Sequence, residues 1–111
     1  MEIPSRIFFS EEKIKNQLEE LKTGKNEEQE LYHFLNQAFE NLKKNAFSGV
    51  QIPKSQIPKG YLIKYNITNL WKYNLPNAWR IIYSIGKEGI QVLSIILEWM
   101  DHKEYERRFH Y

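Results

Sequence analysis

The segment NLWKYNLPNAWRIIYSI, residues Asn69–Ile85, decides the fold because apolar and polar side chains alternate along it in two runs. In the first run, Leu70–Leu75, the aromatic side chains share one face and Lys72 lies on the other. Pro76 then indicates a turn, and in the second run Arg80 lies opposite the face that carries the aromatic rings. The segment therefore predicts two antiparallel strands joined by a short turn.

The residues after this segment predict a third strand and a short helix. Gly86–Gly89 has the composition of a hairpin turn, and Ile90–Trp99 is apolar on nearly both faces, as in a central strand. Asp101 and Glu104 follow with the spacing of a capping box, which indicates the start of a helix. Together with the first two strands, this gives a three-stranded antiparallel meander.

The N-terminal half predicts one strand and two helices. Arg6–Phe9 has the composition of a short strand, and Ser10 is a suitable N-cap for a following helix. Apolar residues recur at helical spacing on both sides of Gly24, first at Ile14, Leu18 and Leu21, then at Leu31, Leu35, Ala38, Phe39 and Leu42. Two amphipathic helices separated by a short turn predict a helical hairpin.

The segment between the hairpin and the meander has no clear periodicity. Pro53 and Pro58 exclude a regular helix or a central strand, so an extended connection is expected. Tyr61–Thr68 fits either a short strand or a single helical turn. The expected fold is α+β: an N-terminal strand and a helical hairpin packed on one face of a small antiparallel sheet, with a short C-terminal helix.

Composition indicates one domain spanning residues 1–111. The chain is 41% hydrophobic and 27% charged, as in globular proteins, and it contains no cysteine for disulfides or thiolate metal sites. No segment approaches the roughly 20 apolar residues that span a bilayer. We expect a cytoplasmic protein that does not bind membranes. The three histidines have no metal-ligand spacing, so no metal or other cofactor is expected.

Charge locates the candidate site in the second half of the chain. The net charge is only +2, but Asn69–Ile85 contains Lys72 and Arg80 and no acidic residue. Adjacent antiparallel strands can place these two cations on the face that the hairpin leaves open, and the third strand leads to His102 and Tyr105. Such a group could bind a phosphodiester. RNA carries its own 2′-hydroxyl nucleophile, so general acid and base groups would suffice for cleavage.

Several of these residues also have simpler interpretations. His102, at the start of a helix, fits either a neutral base or an exposed side chain. Tyr105 and Phe109 are spaced to anchor the last helix on the sheet. Arg107 and Arg108 fit either a solvated end of the chain or a basic rim for a polyanion.

Two segments resemble the end of the RelE/ParE-superfamily toxins. NLWKYNLPNAWRIIYSI and VLSIILEWMDHKEYERRF, within Asn69–Phe109, are similar to a basic strand, then G-(Y/W)-R-(I/L)-(I/V)-Y with Ala78 at the glycine, then His-x-x-Tyr. The HKEY sequence, His102–Tyr105, is close to the form in the HigB-like branch. The predicted order of elements is similar along the whole chain.

The resemblance implies the toxin of a type II toxin–antitoxin system that cleaves messenger RNA on the ribosome and is silenced by a cognate antitoxin. The catalytic residues implied are Lys72, Arg80, His102 and Tyr105. We expect further contacts to RNA from Lys103, Arg107 and Arg108. Two alternatives stay open: a ParE-like inhibitor of a topoisomerase, and a non-toxic binding protein that retains the fold.

Overall fold

Five strands form one mixed sheet in the order β1-β5-β4-β3-β2. They are β1 (Arg6–Phe9), β2 (Val50–Ile52), β3 (Leu70–Asn74), β4 (Arg80–Glu88) and β5 (Gln91–Met100). β1 runs parallel to β5, and all other neighbours are antiparallel. The structure, a computed structural model, describes residues 2–109; Met1, His110 and Tyr111 lie outside the described residues. The predicted α+β class is confirmed, but the sheet is larger than the expected three-stranded meander.

Four α-helices accompany the sheet. They are α1 (Glu12–Lys22), α2 (Asn26–Lys44), α3 (Lys59–Tyr65) and α4 (His102–Arg108). α3 shows that the ambiguous segment after Pro58 begins as a helix. The N-cap of α1 is Glu11 rather than the expected Ser10. Within residues 2–109, no helix is both long enough and apolar enough to cross a membrane.

The helical hairpin of α1 and α2 covers one face of the sheet, as predicted. Leu35 and Leu42 of α2 are fully buried, and they belong to the same core as Ile81 and Tyr83 of β4. Each fully buried side chain of this size contributes about 1.5–3 kcal/mol to folding. Burial against the hairpin therefore fixes which face of the central strands points away from it.

The opposite face, which we expected to be open, is partly covered by a second core. α3 and α4 supply Tyr61, Tyr105 and Phe109, which pack with Ile82 of β4 and Leu97 of β5. All five side chains are buried. The central strands are apolar on both faces, and apolar side chains on the second face need a cover of their own. The expectation of an uncovered sheet face was therefore wrong.

A β-bulge in β5 determines which side chains reach this second core. Ile82 lies opposite Glu98 and Tyr83 lies opposite Ile96, so Leu97 is an extra residue in β5. Side chains alternate along a regular strand, so an unbroken β5 with Leu97 facing α4 would turn Glu98 toward the hairpin. The bulge lets both residues face α4.

A tyrosine hydroxyl ties the end of the hairpin to the sheet. Tyr83 Oη donates a hydrogen bond to the Ala46 carbonyl (2.8 Å) and accepts one from the Gly49 N–H (3.1 Å). A Cβ at Gly49 would lie 2.5 Å from the Lys72 carbonyl oxygen and 2.6 Å from Tyr83 Oη. Only glycine allows this close approach.

Candidate functional site

Lys72 and Arg80 lie on the face of the sheet that α4 partly covers. In the β3–β4 register Lys72 is opposite Ile82, and Arg80 is opposite Asn74. The two cations are therefore diagonal neighbours on adjacent strands, where long side chains can approach each other. Arg80 is also opposite Met100, the last residue of β5, which places it next to the start of α4.

The aromatic ring of Tyr105 makes cation–π contacts with both Lys72 and Arg80. The Lys72 ammonium nitrogen lies 5.0 Å from the ring centroid, and the Arg80 guanidinium carbon lies 4.5 Å from it. Tyr105 is only 3% exposed, and its ring stacks on Phe109 at a centroid distance of 4.8 Å. Each cation–π contact of this kind is worth about 0.5–2 kcal/mol. Tyr105 thus stabilises two like charges close to each other.

The hydrogen bonds of Arg80 leave part of its guanidinium unsatisfied. Its Nη1 donates to the Ala78 carbonyl at 3.0 Å, whereas its Nε is buried and has no hydrogen-bond partner within residues 2–109. In the same part of the chain, no salt bridge involves Arg80 or Lys72. A buried donor without a partner costs about 1–3 kcal/mol, and more when it is charged. The unpaired Nε is a local cost of placing Arg80 here, and an external anion would bind at the accessible part of the side chain instead.

The observed contact of His102 is with a residue of its own helix, α4, and not with this pair of cations. It is the first residue of that helix, its side chain is 53% exposed, and its Nε2 lies 3.2 Å from Oε1 of Glu106. Asp101 caps the helix, accepting a hydrogen bond from the Glu104 N–H at 2.9 Å, as the capping-box spacing predicted. The structure brings Lys72, Arg80 and Tyr105 together, whereas the contact that it shows for His102 is with Glu106.

The three cations predicted to contact RNA have different surroundings. Lys103 is exposed, and Arg107, also exposed, hydrogen-bonds to Glu104. Arg108 has an ion pair with Glu98, a hydrogen bond from Nε to Glu104 Oε2 (2.6 Å) and one from Nη1 to Tyr61 Oη (3.3 Å). The hydrogen bonds from both arginines hold the pKa of Glu104 below its usual value. Arg108 therefore attaches α4 to the sheet.

Sequence reasoning did not identify Glu98 and Tyr61 as partners of Arg108. A glutamate at the end of an apolar strand is a usable signal, since a carboxylate in such a place needs a partner. The identity of that partner depends on the bulge and on α3, neither of which the sequence pattern reveals. Burial raises the pKa of the Tyr61 hydroxyl, which stays protonated.

The arrangement can bind an anion and stabilise negative charge on it. Two cations side by side, neither in a salt bridge within the described residues, suit a phosphate group better than a single carboxylate. In the described part of the chain, no three His, Asp or Glu side chains are grouped as metal ligands would be. Comparisons with protein-family models, with curated proteins and with solved structures found no match to this chain. The basis for a functional hypothesis is therefore the site itself.

Proposed function

We propose that this chain is an mRNA endoribonuclease, the toxin of a type II toxin–antitoxin system with a RelE/ParE-like fold. The observation that carries the proposal is the pair of cations, Lys72 and Arg80, held on the Tyr105 ring with no salt bridge to either within residues 2–109. The motifs around Arg80 and in His102–Tyr105 support the same assignment. The substrate would be ribosome-bound mRNA in the cytoplasm, and the partner a cognate antitoxin.

In the proposed reaction, Arg80 and Lys72 bind the scissile phosphodiester of the RNA. The 2′-hydroxyl of the preceding ribose attacks phosphorus, so a P–O2′ bond forms and the P–O5′ bond breaks. The products are a 2′,3′-cyclic phosphate and a free 5′-hydroxyl. The 2′-hydroxyl loses one proton to a base, and the 5′-oxygen gains one from an acid. The two cations stabilise the charge that develops on the phosphoryl oxygens.

His102 is the proposed proton-transfer group. The RNA would have to draw its imidazole away from Glu106, since that carboxylate is its observed partner. Tyr105 has its ring buried against both cations, so it acts in this proposal mainly by positioning them. This division of roles predicts that Tyr105→Phe, which keeps the ring, retains more activity than Tyr105→Ala.

The first experiment is controlled expression in bacteria, with growth and mRNA 5′ ends followed over time. Arg80→Ala should abolish growth arrest and lower the cleavage rate by about 100-fold or more, as the loss of a charge-stabilising group typically does. Arg80→Lys should recover little activity, since an ammonium lacks the planar fork of donors. Lys87→Ala, which removes an exposed cation from the other end of β4, is the matched control. Toxicity unchanged by Arg80→Ala would contradict the proposal.

The contact of His102 with Glu106, rather than with the cation pair, also favours a second candidate, an anion-binding relative that does not cleave RNA. A ParE-like toxin would leave transcripts intact while DNA breaks accumulate. A non-toxic relative would be harmless when expressed without an antitoxin. The same expression experiment therefore separates all three functions.

A further inference from the structure

A cleft of about 300 Å³ lies between α3, α4 and the end of β5. Its wall is formed by Tyr61 and Tyr65, whose rings stack with centroids 5.9 Å apart. The Lys64 ammonium lies 5.2 Å from the Tyr65 ring centroid, and the ion pair of Glu98 with Arg108 also lines the cleft. This volume is within the range of small-ligand pockets.

A row of neighbouring aromatic rings leads from the cleft to Lys72 and Arg80. The centroids along Tyr65, Tyr61, Phe109 and Tyr105 are 5.9, 5.3 and 4.8 Å apart, so the end rings lie within roughly 16 Å of each other. Tyr105 is the ring that holds both cations. A few nucleotides of a single strand can span that distance, since one strand advances about 3.4 Å per nucleotide when stacked.

We propose that this cleft binds one base of the RNA strand whose phosphodiester is held by Arg80. A base would stack on the half-buried ring of Tyr65 in place of the Lys64 ammonium that lies over it, as single-stranded bases do on aromatic rings. Glu98 is 17% exposed, and a carboxylate offers only acceptors, so it selects a base edge that carries N–H donors. Guanine, with an imino and an amino N–H side by side, fits best. Lys64 would contact the adjacent phosphate. The inference rests on the proposed function.

Two substitutions test the cleft without touching the cation site. Tyr65→Ala removes the stacking surface. Gly60→Leu fills the mouth of the cleft, and it should fold because a Cβ at Gly60 meets no atom within 4 Å and leucine favours the helix. Gly60→Ala is the matched control, since a methyl group is too small to block the cleft.

The measurement is the affinity of each variant for fluorescein-labelled RNA hexamers. One series carries a single guanine at successive positions in oligouridine, and the second carries an abasic site at the same positions. At one position the wild type should bind the guanine hexamer about tenfold more tightly than the abasic one, as loss of one stacked base implies. Tyr65→Ala and Gly60→Leu should lose this difference, and Gly60→Ala should keep it.

The outcomes separate this inference from the proposed function. Discrimination that persists in both Tyr65→Ala and Gly60→Leu would overturn the base-binding cleft. So would a wild type that binds guanine and abasic hexamers equally, as expected if the cleft receives an aromatic side chain of a protein instead. Discrimination that depends on Tyr65, in a protein that never cleaves RNA, would support the cleft and contradict the endoribonuclease. Arg80→Ala should weaken binding of intact and abasic hexamers equally.

Discussion

Two arginines on the same face of the sheet have contrasting electrostatic surroundings. Arg108 is surrounded by Glu98, Glu104 and the hydroxyl of Tyr61. Burial alone would lower the pKa of Arg108, but these hydrogen bonds and carboxylates raise it instead. Arg80 has a carbonyl, an aromatic ring and a buried N–H without a partner in the described chain. The contrast shows why Arg80 suits an external anion and Arg108 a structural role.

A prediction at the residue scale concerns Gly49. Gly49→Ala should lower the free energy of unfolding by about 1–3 kcal/mol, because the new methyl group would clash with the backbone of β3 and with the Tyr83 hydroxyl. Urea unfolding measures the change. Gly60→Ala, at an open position of α3, should instead be neutral or stabilising by up to about 1 kcal/mol. Equal effects of the two substitutions would contradict the close approach at Gly49.

Single residues of the candidate site were only partly predictable. Alternation along β3 and β4 was enough to place Lys72 and Arg80 on one face, since that pattern depends on local geometry. The contact of both cations with Tyr105 depends on how α4 packs, which the sequence left open. Glu98 was missed because its direction is set by one extra residue in β5. No periodic pattern reveals such an irregularity.

At the scale of elements, three different interactions stabilise α4 and its position on the sheet. Asp101 caps its first turn, Tyr105 and Phe109 pack beneath it, and Arg108 joins it to Glu98 of β5. The spacing of residues along the chain predicts the cap and the packing of the two aromatic rings. It does not predict the third interaction, since that one joins residues whose approach depends on tertiary structure.

A prediction at this scale concerns how folding stability changes at acidic pH. The pKa of Glu104 lies below its usual value of 4.5, so its stabilising contribution is present above that pH and is lost as the pH falls below it. Glu104→Gln should therefore reduce the loss of stability between about pH 5 and pH 3. The midpoints of urea unfolding, determined at several pH values in this range, measure the loss of stability. Identical pH dependence in the variant and the wild type would show that the carboxylate does not hold α4.

Sequence reasoning missed one strand, β2, and the parallel pairing of the predicted strand β1, both of which depend on distant partners. β2 has only three residues and pairs with β3, with Val50 opposite Lys72. β1 pairs in parallel with β5, from the other end of the chain. α3 begins just after Pro58. The prolines predict an extended connection, but proline is also well suited to the start of a helix. Local patterns predict helices and hairpins, but not long-range pairing.

At the scale of the whole molecule, the sheet has a hydrophobic core on each face. The larger core lies under the helical hairpin, and the smaller one lies under α3 and α4. The apolar character of β5 on both faces indicated a central strand, but we had inferred a cover for only one face. Strands buried on both sides need two covers, which is why the short helices α3 and α4 complete the fold.

A prediction at this scale concerns how folding stability changes at alkaline pH, since buried tyrosines lie in both cores. Burial raises the pKa of Tyr83 on the hairpin side and of Tyr61 on the other side, and it raises the pKa of Tyr65 to about 12. A raised pKa means stability that is intact below the usual value of 10 and is lost as the pH rises through the folded-state value. The free energy of unfolding should therefore fall steadily above pH 10.

Tyrosinate absorbance and tryptophan fluorescence, followed together in an alkaline titration, test this prediction. The late-titrating tyrosines should ionise in the same transition that changes the fluorescence. Tyr65→Phe is the matched variant, since it removes one ionisable hydroxyl and keeps the ring; its stability should decline less steeply with pH. Ionisation of all the tyrosines near pH 10 without unfolding would contradict the burial of Tyr61 and Tyr83.

The extra residue in β5 also bears on how the gene can change over evolutionary time. Loss or gain of one codon elsewhere in a paired strand exchanges the inner and outer faces of everything beyond it. At Leu97 this does not apply: without that residue, Glu98 would follow Ile96 in regular alternation and Trp99 would still point toward the hairpin. Descendants of this chain could therefore lose Leu97 without reversing the faces of β5, at the cost of one buried side chain, and keep the carboxylate that anchors the final helix.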